Sequence, residues 1–150
     1  MEEKSLNQQT LKLASTLFEE AFNYHRQGNT QKAEEAYTKI IKLGILHAPT
    51  FLNLGVIYKN AGKSEEAIKL YKKSIELRPE DPTGYLNLGW LYRDVGDSQK
   101  ALESTKKSLE INPTNILALM NISIIYIDLG DIEKAIKYSQ KAAKLEPQNP

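Results

Sequence analysis

Apolar residues along this chain come in two alternating sets. Phe51, Leu54 and Tyr58 recur every three to four residues, and after a short polar break Ala67, Ile68, Tyr71 and Ile75 do so again. Both spacings place the side chains on one face of an α-helix. The break centres on Gly62, a residue able to take the left-handed backbone that ends a helix. Ser64 is positioned to cap the second helix, with Glu65 and Glu66 in its first turn and Lys72 and Lys73 near its end. That charge order complements the helix dipole. Pro79 closes the segment, and Asp81 before Pro82 reads as an N-cap followed by a first-turn proline. The predicted element is a pair of antiparallel helices.

The pair recurs. Gly28, Gly62, Gly96 and Gly130 are each 34 residues apart, and Tyr24, Tyr58, Tyr92 and Tyr126 keep the same step, as do Ala33, Ala67, Ala101 and Ala135 and also Pro79, Pro113 and Pro147. A fixed period of this size marks stacked helical repeats, which offer a long surface and not an enclosed pocket. With the shared glycine at position 15, the repeats run 14–47, 48–81, 82–115 and 116–149, giving an all-α fold of about eight helices. Residues 1–13 form a helical extension or cap: 5–13 prolongs the first helix backwards, and the polar run 7–9 suits a solvent-facing end. Gly55 and Gly89 fall inside helices, where each costs about 1 kcal/mol relative to alanine. The compensation they predict is close approach of the paired helix, supported by small Ala67 and Ala101. On the second helices, Glu35–Lys39, Glu65–Lys69, Glu103–Lys107 and Glu133–Lys137 are spaced as favourable pairs, about 0.2–0.5 kcal/mol each, which predicts a solvated outer face.

Composition narrows the function. Lys+Arg is 20 and Asp+Glu is 19, so the chain lacks the basic excess of a nucleic-acid binder and any polybasic block for an anionic membrane. There is no cysteine, hence no disulfide framework and no thiolate ligand or nucleophile. No apolar run approaches a membrane span, since 116–127 is broken by Asn121 and Ser123, and residues 1–9 lack the character of a secretory signal. These features fit a soluble intracellular protein, with the cytoplasm as its expected location. His25 and His47 are the only histidines; neither stands at metal-ligand spacing, and both are expected at the surface. No phosphate loop or nucleophile motif occurs, so no enzyme, cofactor or metal is expected.

The pattern of the second repeat, Phe51, Leu54, Gly55, Tyr58, Gly62, Ala67, Tyr71 and Pro79, resembles the tetratricopeptide repeat family. The third repeat follows with Tyr85, Leu88, Gly89, Tyr92, Gly96, Ala101 and Pro113, with Thr105 at the second aromatic place. The fourth keeps Leu119, Ile122, Tyr126, Gly130, Ala135 and Pro147, with Ser123 for the mid-helix glycine. The first, with Leu17, Glu20, Ala21, Tyr24, Gly28, Ala33 and Tyr37, diverges most and has Ile45 in place of proline. The resemblance implies an α-solenoid of antiparallel helix pairs wound as a right-handed superhelix. It implies a single domain over 14–149 that binds a peptide or helix segment in a concave groove lined by the first helices. A related family of helical-pair repeats reads RNA, but this chain has no basic surface for it.

In this family, positions 2, 5, 6, 9, 12 and 13 face the ligand. Position 6 carries Glu19, Asn53, Asn87 and Asn121, and a side-chain amide can pair with the backbone of any extended peptide. Positions 5 and 9 carry Phe18 and Phe22, Leu52 and Val56, Leu86 and Trp90, and Met120 and Ile124; all are apolar where the family often places polar residues at position 9. Either neighbouring first helices bury them, or they form an apolar groove with polar pegs. Trp90 is the candidate anchor: burying its ring removes on the order of 150–250 Å² from water, about 4–6 kcal/mol gross. Lys59 and Arg93 at position 12 could guide an acidic group. The carboxylate clamp known in the family needs Lys and Asn at positions 5 and 9, then Lys and Arg at positions 2 and 6 two repeats later. Here those places hold Phe18, Phe22, Thr83 and Asn87, or Leu52, Val56, Leu117 and Asn121, so that mode is absent.

Three functions remain open: a non-enzymatic scaffold binding a segment of another protein, a structural module that self-associates through the apolar groove or the last repeat, and the substrate-recruiting region of a larger enzyme. The last repeat is the weak point of the stack. Ile136 and Ala143 hold places that Ile68 and Ile75, or Leu102 and Leu109, use against a following repeat. Either more chain follows, or another molecule covers that end.

Overall fold

A computed structural model describes the backbone of residues 2–145 and the side chains of residues 7–145. Among the described residues it contains eight helices and no strand: α1 (Glu2–Arg26), α2 (Thr30–Lys42), α3 (Ala48–Asn60), α4 (Ser64–Leu77), α5 (Pro82–Asp94), α6 (Ser98–Ile111), α7 (Ile116–Asp128) and α8 (Ile132–Leu145). Each helix pairs with its sequence neighbour, and the pairs form two compact units, residues 1–77 with α1–α4 and residues 78–150 with α5–α8. The fold is all-α, of the α-solenoid class. Pro147, the end of the fourth repeat and the side chains of Ser5 and Leu6 lie outside the described residues.

The helix junctions show why the period is strict. Each repeat glycine has a positive φ, for example +84° at Gly96, which an L side chain rarely adopts. The next N–H then reaches back to the carbonyl of the repeat tyrosine: Asp97 to Tyr92 at 2.8 Å and Asp131 to Tyr126 at 2.9 Å. This is the six-to-one closure of a helix C-terminus. The same residue caps the following helix. Asn29, Asp97 and Asp131 accept the backbone N–H of Lys32, Lys100 and Lys134. Those lysines lie over the rings of Tyr24, Tyr92 and Tyr126 at 5.3–5.5 Å. The second repeat departs from this scheme. Its capping position holds Lys63, whose carbonyl starts the helix but whose side chain lies over Tyr58; Ser64, expected as the cap, is already helical. The last turn of α4 carries no basic residue, because Lys72 and Lys73 stop short of it. Asp81 caps α5 through the N–H of Thr83, as expected from Pro82 behind it. Gly44, with φ +73°, ends α2 in the repeat that lacks the proline.

Pairing within a repeat depends on small residues at position 8. A Cβ on Gly55 would lie 2.6 Å from the ring of Tyr71, and one on Gly89 would collide with the Thr105 hydroxyl. The close approach expected at these glycines is real: Tyr71 and Thr105 fill the space, and beside Gly89 the Ala101 carbonyl would also lie 3.4 Å from a Cβ. In the fourth repeat, Ser123 fits because its hydroxyl donates to the Ala135 carbonyl at 2.8 Å. The open ends of the middle pairs are closed by two more hydroxyls: Ser74 donates to the Ala48 carbonyl and Ser108 to the Pro82 carbonyl, both at 3.0 Å.

In the N-terminal unit, Tyr37, Ile40, Leu54 and Ile57 pack on Ala14, Ala21, Ala33 and Ala36. Tyr71 is buried in the second pair, and that burial pushes its hydroxyl up to about 12. In the C-terminal unit, Leu91, Leu119, Ile122 and Ile125 are sealed from solvent. Lys107 bridges Glu110 at 2.8 Å rather than Glu103, and Lys73 bridges Glu76. The outer-face ion pairs seen here thus follow a three-residue spacing, not the expected four.

Candidate functional site

The first helices of the repeats carry the candidate residues, and each unit presents them differently. In the N-terminal unit, Phe18 of α1 sits among aromatic neighbours: Phe22 at 6.4 Å, Tyr37 at 5.8 Å and the edge of His47 at 4.7 Å between ring centroids. His47, expected at the surface, is therefore half-buried, and its Nδ1 shares a 3.0 Å hydrogen bond with the Thr50 hydroxyl. His25 is half-buried too. Phe22 is exposed, whereas Leu52 and Val56 of α3 are half-buried. Asn53 donates its amide to the Tyr37 hydroxyl at 3.0 Å. Burial raises the Tyr37 hydroxyl above its ordinary range, and the Asn53 bond offsets part of that rise. Lys59 is half-buried and is not a free cation.

In the C-terminal unit, Asn121 repeats the same contact one level deeper. It is fully buried and donates to the Thr105 hydroxyl at 2.9 Å, while its Oδ1 has no partner. The position-6 amides of α3 and α7 thus tie each first helix to the second helix of the preceding repeat. The expected asparagine ladder is not presented as a set: Asn121 is enclosed, Asn53 is engaged and half-buried, and Asn87 is half-buried. Leu86 is buried as well. Glu19, which interrupts the series, is exposed.

Arg93 lies over the Trp90 ring at 5.6 Å, and its Nε donates to Asp128 at 3.1 Å. Its charge is matched within the unit, so it is poorly placed to steer an acidic ligand. Trp90 itself is half-buried. The gain still open to a ligand at this ring falls to about 1–2 kcal/mol, well below the value for a fully exposed indole.

An open apolar surface lies on α7. Leu117, Met120, Ile124 and Ile127 fall at three-, four- and three-residue steps, so they form one stripe along the helix. Leu117 is 60% exposed and Ile127 54%. These two were not singled out from the sequence. The signal was present: position 2 reads Ser15, Pro49, Thr83, Leu117 and position 12 reads His25, Lys59, Arg93, Ile127, with an aliphatic residue only in the last repeat. Among the described residues there is no cluster of three His, Cys, Asp or Glu able to hold a metal, and no helix is long and apolar enough to cross a membrane.

Three models described as tetratricopeptide repeat match residues 11–43, 46–114 and 116–149. The chain belongs to the tetratricopeptide repeat family. Tetratricopeptide repeats are protein-interaction scaffolds, whose members bind protein or peptide partners. Among solved tetratricopeptide repeat structures, the chain is similar to MamA, with 28% identity over 89% of this chain and 78% of that one and a TM-score of 0.84. It is also similar in fold to a tetratricopeptide repeat protein from Parabacteroides merdae, at 24% identity over 92% of this chain and 55% of that one, TM-score 0.81. A third, YrrB, described as having an unusual peptide-binding site, shares 20% identity over 91% of this chain and 70% of that one, TM-score 0.79. No curated protein matches the sequence.

Proposed function

We propose that this tetratricopeptide repeat chain is a non-enzymatic interaction module whose first-helix surface binds an apolar segment of another protein. The observation that carries this reading is the stripe on α7, led by the exposed Leu117 and Ile127 with Met120 and the half-buried Ile124 between them, in the same unit as the partly open Trp90. A surface of this kind costs solubility unless something covers it. A nearby charge pair, Arg93 and Asp128, is already matched, which favours an uncharged, aliphatic or aromatic ligand over an acidic tail. In the N-terminal unit the exposed Phe22 beside Phe18 offers a second, smaller anchor of the same character.

Peptides selected by display from a random library against the whole chain test this reading. The selected peptides should be rich in Leu, Ile, Phe or Trp. Trp90→Ala should weaken them by about tenfold, corresponding to about 1.4 kcal/mol. Leu117→Ser, at a site too exposed to disturb folding much, should weaken them about fivefold. Selected peptides indifferent to both changes would sink the assignment.

A further inference from the structure

The last repeat ends in a surface whose sizes run the wrong way for another repeat. Where α7 packs on α5 and α6, its Asp128 holds Arg93 and its Asn121 holds Thr105, while Leu86 and Leu102 on those same two faces are buried. One repeat later the equivalent places are Met120 and Ile127 on α7 and Ile136 and Ser139 on α8. Leu102 is 8% exposed, whereas Ile136, its counterpart, is 52% exposed. Along the second helices, positions 17, 21, 24 and 28 read Ser64, Ile68, Tyr71, Ile75 and then Ser98, Leu102, Thr105, Leu109. In α8 they read Ile132, Ile136, Ser139, Ala143: large residues come first and small ones last.

A face that runs large, large, small, small along one helix is complementary to itself turned end for end. We propose that α8 and the adjoining edge of α7 form a two-fold interface with a second copy of this chain. The two α8 helices would lie antiparallel, with Ile132 against the partner's Ala143 and Ile136 against the partner's Ser139. Such packing sets ridges of one helix into hollows of the other and closes after two copies. The same arrangement brings Glu133 near the partner's Lys144, an opposite-charge pair formed twice. Met120, Ile127, Leu129, Ile132 and Ile136 are each 43–54% exposed. At about 100 Å² of open surface apiece, two copies would bury about 1,000 Å² from these side chains alone, so with a polar rim the contact reaches the size of stable interfaces. A further repeat packed as α7 is on α6 would instead meet Ile132 where Ser98 stands and Ala143 where Leu109 stands.

Sedimentation velocity on the whole chain from low to high micromolar should show a monomer–dimer equilibrium. Ile136→Glu, at a half-exposed site, should abolish the dimer while leaving helicity and the melting of the dilute chain unchanged; it should not weaken peptides dependent on Trp90 and Leu117, because it uncovers the shared Met120 and Ile127. A chain carrying both Ile132→Cys and Ala143→Cys should be joined into a covalent dimer by a short bismaleimide, and each single variant should not. A strictly monomeric chain, a dimer indifferent to Ile136→Glu, or equal crosslinking by the single variants would overturn the proposal. The peptide-binding reading shares Met120 and Ile127 with this interface but is judged separately, by whether Trp90 and Leu117 are dispensable.

Discussion

Replacing Gly89 by alanine adds one methyl group to the middle of α5. In an isolated helix that change gains about 1 kcal/mol. Here the new Cβ would lie 3.2 Å from Asn121 Nδ2 and 3.4 Å from the Ala101 carbonyl oxygen, and closer still to the Thr105 hydroxyl. Thr105 and Asn121 are both fully buried and bonded to each other at 2.9 Å. Thr105 is β-branched and has little room to rotate. Forcing the methyl in costs about 1–3 kcal/mol in overpacking. Breaking the bond strands a buried amide and hydroxyl for about 1–3 kcal/mol more. The net expectation is a loss of about 2–4 kcal/mol, a fall of roughly 5–15 °C in melting temperature for a chain of this size. Thermal and urea melts followed by circular dichroism read it directly. The cause is isolated by repeating the change in a Thr105→Ala background, where the hydroxyl is gone and the cost of Gly89→Ala should shrink to under about 1 kcal/mol. A wild-type melt for Gly89→Ala, or the same penalty in both backgrounds, would refute the reasoning.

The remaining predictions test the junctions. Lys63→Asn supplies the cap that Asn29, Asp97 and Asp131 provide elsewhere; it should stabilise the chain by about 0.5 kcal/mol, the capping gain of about 1 less the lost contact with Tyr58, measurable by urea titration. The Asp97 and Asp131 carboxyls are held below their ordinary range, chiefly by hydrogen bonds from the Lys100 and Lys134 side chains. A depressed carboxyl contributes stability above its unfolded value, near 4, and loses it as pH falls through the folded value. Asp97→Asn keeps the cap acceptor but not the charge, so its melting temperature should trail the wild type at neutral pH and converge with it in acid; a constant gap across that range would contradict the assignment. Arg93→Ala should change stability by no more than about 1 kcal/mol, because the pair with Asp128 is partly exposed, and it should unmask Trp90 as greater quenching of its fluorescence by acrylamide.

The frame of this fold was open to reading because it rests on residues with few substitutes. A positive φ at Gly96 and the carbonyl of Tyr92 three residues inside the helix end fix the junction, and their step of 34 residues is visible without any structure. What could not be read is which free positions remain free. Asn121 looked like a ligand contact because amides suit peptides; its partner, Thr105, is 16 residues away on another helix, a distance no helical periodicity reports. Arg93 and Asp128, 35 residues apart, hid their pairing in the same way. The shift of the expected cap from Lys63 to Ser64 has a simpler origin. The second repeat is the one without a capping side chain, so reading that repeat alone led to the nearest serine. Conversely, Leu117 and Ile127 break the polarity of their columns, and comparison down the repeats was enough to find them.

Chemical-shift mapping on the isotopically labelled chain, titrated with a display-selected peptide, tests the central claim that packing takes the asparagines and leaves the apolar stripe for recognition. The account predicts the largest changes at Leu117, Ile124 and the Trp90 indole, with the Asn121 side-chain amide unmoved. Changes centred on the lysine-rich outer face of the second helices, or on Asn121 with the stripe silent, would contradict it.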